Sequence, residues 1–350
     1  MNIWMLLAMI FMIFLVIFQI AKASEYVSVL KGEKKSREQA NSINAVLMIV
    51  FLVVGLIGAY YCHKHLTPMT LFPQGSASEE GKEIDKMFII TLVLTGIIFV
   101  ATQICLFVFS YLYREKEGRK SFYFPHNNTL ELIWTIVPAI ALTVLVVFGL
   151  RHWYKITGDA PANSMVVEIT GQQFGWIYRY PGNDKVLGKR SFKLINAAES
   201  NVLGQDWADS HNNDDLMPSK MYLVKGVPVK LIIGSKDVIH DVGLPHFRLK
   251  MDAVPGIPTT LWFTPNRTTA EMRAETKNEE FEYEIVCDQL CGNSHYAMRG
   301  VIEVVTQEEF DKIMSEVKPN YFAAFPDKDP ANAKKEAAPA ADSVVAKATK

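Results

Sequence analysis

The chain has 350 residues and a formal net charge of -1. A near-neutral balance argues against a nucleic-acid binder, which needs a basic face. The average hides an asymmetry. The first 150 residues are dominated by long apolar runs and the rest is mixed and polar, which predicts a membrane part followed by a water-soluble part.

Four runs, at residues 3–20, 45–62, 87–113 and 132–150, are apolar and long enough to span a bilayer, which takes roughly 20 helical residues. The third is long enough to tilt, and Pro138 predicts a kink in the fourth. The loop after the first run carries Lys22, Lys31, Lys34, Lys35 and Arg37, and the loop after the third carries Arg114, Lys116, Arg119 and Lys120. In the second loop Lys64, Lys82 and Lys86 are set against Glu79, Glu80, Glu83 and Asp85. The positive-inside rule puts the first and third loops in the cytoplasm, so both termini and everything after the fourth run lie outside. Ala21-Lys22-Ala23 imitates a signal-peptide cleavage site, but no basic n-region precedes the apolar run. The first run therefore reads as an uncleaved span.

From Met165 the pattern changes to short β-rich runs broken by Gly, Pro, Asn and Asp, at residues 165–170, 176–180, 221–224, 227–233, 259–264, 281–286 and 301–305. Without βαβ alternation, an antiparallel sandwich or small barrel is expected. Residues 181–219 read as a polar excursion from the sheet, and residues 205–215 within it are acidic with no Lys or Arg. That stretch reads either as a charged surface steering a basic partner or as an ordinary solvated loop. Thr306-Gln-Glu-Glu309 is a capping box, and Phe310, Ile313 and Val317 then share one helical face. The Ala, Pro, Lys and Asp tail after Phe325 has little to bury and is expected to be disordered.

Of four cysteines, Cys62 and Cys105 lie in apolar runs, where a thiol acts as a small hydrophobe. Cys287 and Cys291 belong to the run Cys287-Asp-Gln-Leu-Cys291-Gly-Asn-Ser-His295-Tyr-Ala-Met298. Two thiols, an imidazole and a thioether in one loop suit a soft metal, and the thioether favours copper. Zinc takes Met poorly, an iron–sulfur cluster usually wants four cysteines, and the Cys-x-x-Cys-His of a c-type haem is absent. A second histidine is needed from another strand. His240 and His246 both follow the apolar run at 227–233, and chemistry alone leaves both open.

These residues resemble subunit II of the haem–copper oxidases. That family's dinuclear copper centre uses C-x-x-x-C-x-x-x-H-x-x-M, met by Cys287, Cys291, His295 and Met298. Its upstream D-V-x-H fits Asp237-Val-Ile-His240 and selects His240 over His246. Lys250-Met-Asp-Ala-Val-Pro-Gly256, Glu131-Leu-Ile-Trp-Thr-Ile-Val-Pro-Ala139 and the aromatic run Gly171 to Tyr180 also match in order, so the resemblance covers residues 87–317. It implies a cupredoxin fold behind transmembrane α-helices. Cys287 and Cys291 would bridge two coppers, with His240 and His295 terminal and Met298 and the Gln289 carbonyl as axial donors. It implies electron flow from a c-type cytochrome to haem in subunit I, coupled to proton pumping, with Glu131 at the mouth of a proton channel. No oxygen chemistry would fall to this chain. The partners so implied are subunit I, other oxidase subunits, the cytochrome, the bilayer and a larger respiratory assembly, and the setting is a bacterial inner membrane with the copper domain periplasmic.

Three departures stand out. The family's magnesium-binding Glu is Gln289 here, and a neutral amide is a weaker ligand for a hard cation. The family's electron-entry tryptophan aligns with Phe174, with Trp176 at its second tryptophan. The first two spans are extra. The chain then divides into 1–43 (extra span and basic loop), 44–86 (second extra span and outer loop), 87–152 (family hairpin), 153–320 (copper domain) and 321–350 (disordered tail). The rival readings are a quinol oxidase subunit II without copper, and a membrane-anchored metal carrier.

Overall fold

The computed structural model describes residues 3–330 and 332. Helices α1 (Ile3–Lys31), α2 (Glu33–Leu66), α3 (Glu79–Leu112) and α4 (Asn128–Thr157) come first, and all four are long and apolar enough to cross a membrane. Their outward faces carry residues such as Phe14, Phe51, Ile97 and Leu132, which only lipid or protein partners can cover. Gly32, at φ 81, breaks α1 from α2, a backbone state that costs glycine little. Pro138 lies inside a continuous α4. The basic loop entering α2 is paired rather than free: Arg37 bonds Glu115 at 3.5 Å, Asn41 donates to Glu115, and Lys34 meets Glu117.

The chain separates into two compact units. One takes residues up to Thr70 together with Ile89–Thr143, and the other takes Leu71–Phe88 and everything from Val144. The outer loop after α2, grouped by sequence with the second extra span, is thus bonded into the β unit. Ala77 is fully buried, its N–H donates to His246 O (2.8 Å), and its carbonyl accepts from Asn266 N–H (2.9 Å). Ser78 donates to Phe247 O, and Asp85 pairs with Arg248 at 2.8 Å.

The β unit is a two-sheet sandwich of β1 (Met165–Gln172), β2 (Gly175–Arg179), β3 (Met221–Val224), β4 (Val229–Ser235), β5 (His240–Leu244), β6 (Leu249–Ala253), β7 (Thr259–Phe263), β8 (Tyr283–Cys287) and β9 (Arg299–Val305). One sheet runs β2-β1-β4-β7 and the other β3-β9-β8-β5-β6. The expectation of an antiparallel sandwich is corrected: β1 pairs with β4, and β3 with β9, in parallel. Val167, Ile169, Leu231 and Phe263 of one sheet and Leu223, Val242, Ile285 and Ile302 of the other fill the core. Alternation places them inward, as period two requires.

The excursion is folded rather than loose. Arg179 is 2% exposed, ion-pairs with Glu168 at 2.7 Å, and donates to Asp215 at 3.1 Å, to Asn212 Oδ1 and to Gly188 O. Asp215 and Gln205 are fully buried, so the acidic stretch does not lie wholly in solvent. Helix α5 (Thr269–Thr276) was not anticipated. Helix α6 (Gln307–Glu316) begins with the expected capping box. The tail is ordered further than composition suggested. Helix α7 (Asn320–Ala324) brings Tyr321 and Phe325 against Trp207, each 5.8 Å away, and Lys318 pairs with Asp329 at 2.7 Å. Aromatic burial explains this order, and the tail from 333 onward lies outside the described residues.

Candidate metal centre

His240 opens β5 and Cys287 closes β8, and the pairing of Val242 with Cys287 sets the two ends side by side. The chain then leaves the sheet, turns through His295–Ala297, and re-enters at β9. Cys287 N–H donates to Met298 O (3.1 Å), which pins the two ends of this loop together. The sequence run is thereby closed into a small ring of donors.

Within it the Cys287 and Cys291 sulfurs are 3.9 Å apart. That is far beyond a disulfide bond of about 2.05 Å, and both cysteines are free and buried. His240 Nδ1 is 3.8 Å from Cys287 Sγ and His295 Nδ1 is 3.7 Å from Cys291 Sγ. Gln289 O stands 3.1 Å from Cys287 Sγ, and Met298 Sδ 3.8 Å from Cys291 Sγ. His240, Cys287 and Cys291 offer donor atoms that all lie within 4.8 Å of one another. Burial, then the neighbouring Cys287 thiol, push the Cys291 thiol up to about 11. Without a cation the Cys291 sulfur therefore keeps its proton, and a bound metal would displace it. The donor set of two thiols, two imidazoles, a thioether and a carbonyl fits a soft metal, and copper before zinc.

The imidazole is held from behind. His240 is fully buried, and Asp237 Oδ1 lies 2.8 Å from Nε2. A proton on Nε2 donated to Asp237 leaves Nδ1 bare toward Cys287, the tautomer a metal needs. Burial would raise the Asp237 carboxyl, but hydrogen bonds from Gln173 N–H, His240 and Val238 N–H outweigh it and lower it. Gln173 also donates through Nε2 to Cys291 O at 2.5 Å. Gly171 makes room for the ring, since a Cβ there would stand 2.9 Å from His240 Cδ2. Gly292, at φ 143, does the same for Phe174 Cζ. Gln173 and Gly171 were not singled out by sequence reasoning, and nothing in their local pattern marks them.

His246 is placed elsewhere. Its ring lies edge-on to Phe281 and Tyr283 at 5.1 and 5.4 Å, and burial pushes it down to about 4. Of the two histidines, the fold brings His240, and not His246, beside the two cysteines. Trp176 packs on the Cys287, Cys291 and Met298 cluster, 6.1 Å from the His240 ring between centroids. Phe174 is 39% exposed beside Gly292. Glu131 sits in the first turn of α4, where its carboxylate accepts from Asn127 N–H at 3.4 Å.

The family model described as the transmembrane domain of cytochrome c oxidase subunit II matches residues 66–151, and that described as its periplasmic domain matches residues 165–305. The chain belongs to the cytochrome c oxidase subunit II family. It is a membrane protein and a subunit of a haem–copper oxidase. The alternative cytochrome c oxidase subunit 2 of Bradyrhizobium diazoefficiens is 32% identical, over 67% of this chain and 80% of that protein. Cytochrome c oxidase subunit 2 of Thermostichus vulcanus is 26% identical, over 74% of this chain and 81% of the other. The solved periplasmic domain of subunit II from Bradyrhizobium japonicum aligns at 26% identity and a TM-score of 0.30, covering 44% of this chain and 94% of that one. Helix α1 and nearly all of α2 precede the family match.

Proposed function

We propose that the centre holds two copper ions and takes electrons singly from a c-type cytochrome, passing them to haem in subunit I. The observation that carries this reading is the pairing of donors. Each thiol has its own imidazole, at 3.8 and 3.7 Å, and its own weak donor, the Gln289 carbonyl or the Met298 thioether. A single ion would use one such set; two sets sharing two sulfurs suit two ions. Held by Cys287, Cys291, His240 and His295 with the Met298 thioether and the Gln289 carbonyl, the pair would supply a site that takes and gives one electron at a time. The chain's own residues do the rest. Two sheets and the Cys287–Met298 bond hold the donors still, and Asp237 fixes the His240 tautomer. Leu290 and Tyr296 project outward at 77% and 89% exposure, as an apolar docking rim beside the ligands.

Electron entry is assigned to Phe174 at the surface with Trp176 behind it, because these aromatics lie between solvent and the sulfur cluster. Glu131 keeps the proton-channel assignment that the resemblance implies, beside its capping contact. Gln289 replaces the acidic side chain that would hold magnesium, so none is assigned to it. The charge of the loops puts the β unit on the periplasmic side of a bacterial inner membrane. The domain divisions stand as proposed, with residues 71–86 moved to the copper domain and the tail beginning after Asp329. A quinol oxidase subunit lacks copper donors, and a carrier would hold its metal where it exchanges. Here His240 is fully buried and Met298 is 1% exposed.

The test is the full-length chain reconstituted with copper, beside Cys291→Ser. Two coppers per chain and a mixed-valence electron paramagnetic resonance signal, both lost in the variant, are expected. One exchangeable ion, or zinc, would favour the carrier.

A further inference from the structure

The copper chemistry gives helices α1 and α2 no task, yet α2 is tied to the hairpin that follows. Phe51 of α2 lies 5.5 Å from Phe107 of α3 between ring centroids, and Ala45 and Phe107 are buried. At one end of this unit, ion pairs join the start of α2 to the loop at residues 113–127 between α3 and α4. Residues 31–41 and 113–127 together carry eight Lys and Arg against four Asp and Glu. Both acids of the loop are already engaged, Glu115 by Arg37 and Asn41 and Glu117 by Lys34. Lys35, Lys116 and Lys120 are exposed, with no hydrogen bond or ion pair among the described residues. Three aromatic residues follow closely. Phe122 and Tyr123 are 86% and 85% exposed, and Phe122 stacks on Phe124 at 6.1 Å.

A contiguous exposed apolar patch rimmed by charge marks an interaction surface. This one lies at the ends of helices long and apolar enough to cross a membrane. At that level aromatic rings settle among the headgroups, and Lys and Arg reach anionic lipid. We propose that the start of α2 and the α3–α4 loop form one docking surface for anionic phospholipid. Lys35, Lys116 and Lys120 meet the headgroups, and Phe122, Tyr123 and Phe124 enter the boundary with the acyl chains. Charge complementarity selects the lipid: an excess of four basic residues favours an anionic headgroup and gains little from a zwitterionic one. The extra helices supply Lys35 directly. Their Lys34 and Arg37 also occupy Glu117 and Glu115, which leaves Lys116 and Lys120 to the lipid.

The experiment counts phospholipid bound to the full-length chain in detergent by native mass spectrometry. Phosphatidylglycerol and phosphatidylcholine with the same acyl chains are titrated at low salt. Each basic residue near an anionic surface is worth about fivefold, so three should favour phosphatidylglycerol on the order of 100-fold. The triple variant Lys35→Gln, Lys116→Gln, Lys120→Gln should lose that preference. Phe122→Ser with Tyr123→Ser should weaken both lipids alike. Arg151→Gln, at the opposite end of α4, is the control and should change neither. Circular dichroism on each variant shows that the helices are intact. Inorganic phosphate should not compete, since it offers the rings no acyl chain. A preference below about tenfold in the parent, a preference kept in the triple variant, or displacement by phosphate would overturn the proposal.

Discussion

Gly171→Ala tests how tightly the fold positions the metal donors. The new methyl would stand 2.9 Å from His240 Cδ2, 3.2 Å from Cγ and 3.3 Å from Trp176 Cζ3. Strand β1 cannot retreat, because Gly171 is paired to Trp176 on one side and Ser235 on the other. The imidazole must yield instead, against its 2.8 Å contact with Asp237. Overpacking of this kind costs about 1–3 kcal/mol. For a domain of this size that lowers Tm by roughly 2–12 °C. Moving Nδ1 relative to Cys287 should also change the copper spectrum. The assays are a thermal melt and an electron paramagnetic resonance spectrum on copper-loaded protein. Gly175→Ala is the control, since a Cβ there meets nothing within 4 Å. If Gly171→Ala melts and resonates like the parent, the claim that β1 backs the imidazole is wrong.

Three further outcomes follow from the geometry. Asp237→Asn removes the charged partner of the His240 ring and should weaken copper retention against a chelator by about 10- to 100-fold. His246 is held down at about 4 by burial against an ordinary value of 6.5, so folding favours its neutral form. Its contribution is complete above pH 6.5 and is lost as pH falls toward 4. At 1.36 kcal/mol per unit that is at most about 3 kcal/mol, nearer 2 for a partly exposed ring. Melts at pH 7 and 4.5 should differ by less in His246→Phe than in the parent. Arg179→Met strands buried Asp215 and leaves Glu168 with Arg190 alone, and should cost about 3–5 kcal/mol in denaturant unfolding.

The four spans, the sandwich and the α6 cap were legible because hydropathy length, period-two alternation and Thr306-x-x-Glu309 are local signals. Strands β5 and β6 escaped notice because Asp241, Gly243, Lys250 and Asp252 interrupt the apolar alternation. Parallel pairing escaped it because direction depends on long crossovers rather than on any residue. The burial of Ala77 and Ser78 in the β unit could not be read either, since their partners His246, Phe247 and Asn266 lie far along the chain. At the centre, spacing alone set out Cys287, Cys291, His295 and Met298 as donors. The choice of His240 needed a resemblance or a fold, because His246 looks equivalent until its aromatic surroundings are known. Gln173 acts through a contact 118 residues away in sequence, which no local pattern announces.

The most direct test of electron transfer is rapid mixing of the intact oxidase with a reduced c-type cytochrome. The near-infrared absorption of the copper centre and the haem absorption are followed together. The account predicts that the copper band bleaches before the haem is reduced, and that Cys291→Ser abolishes both phases while leaving the haem reducible by dithionite. Haem reduction by the cytochrome at an unchanged rate in Cys291→Ser would contradict it.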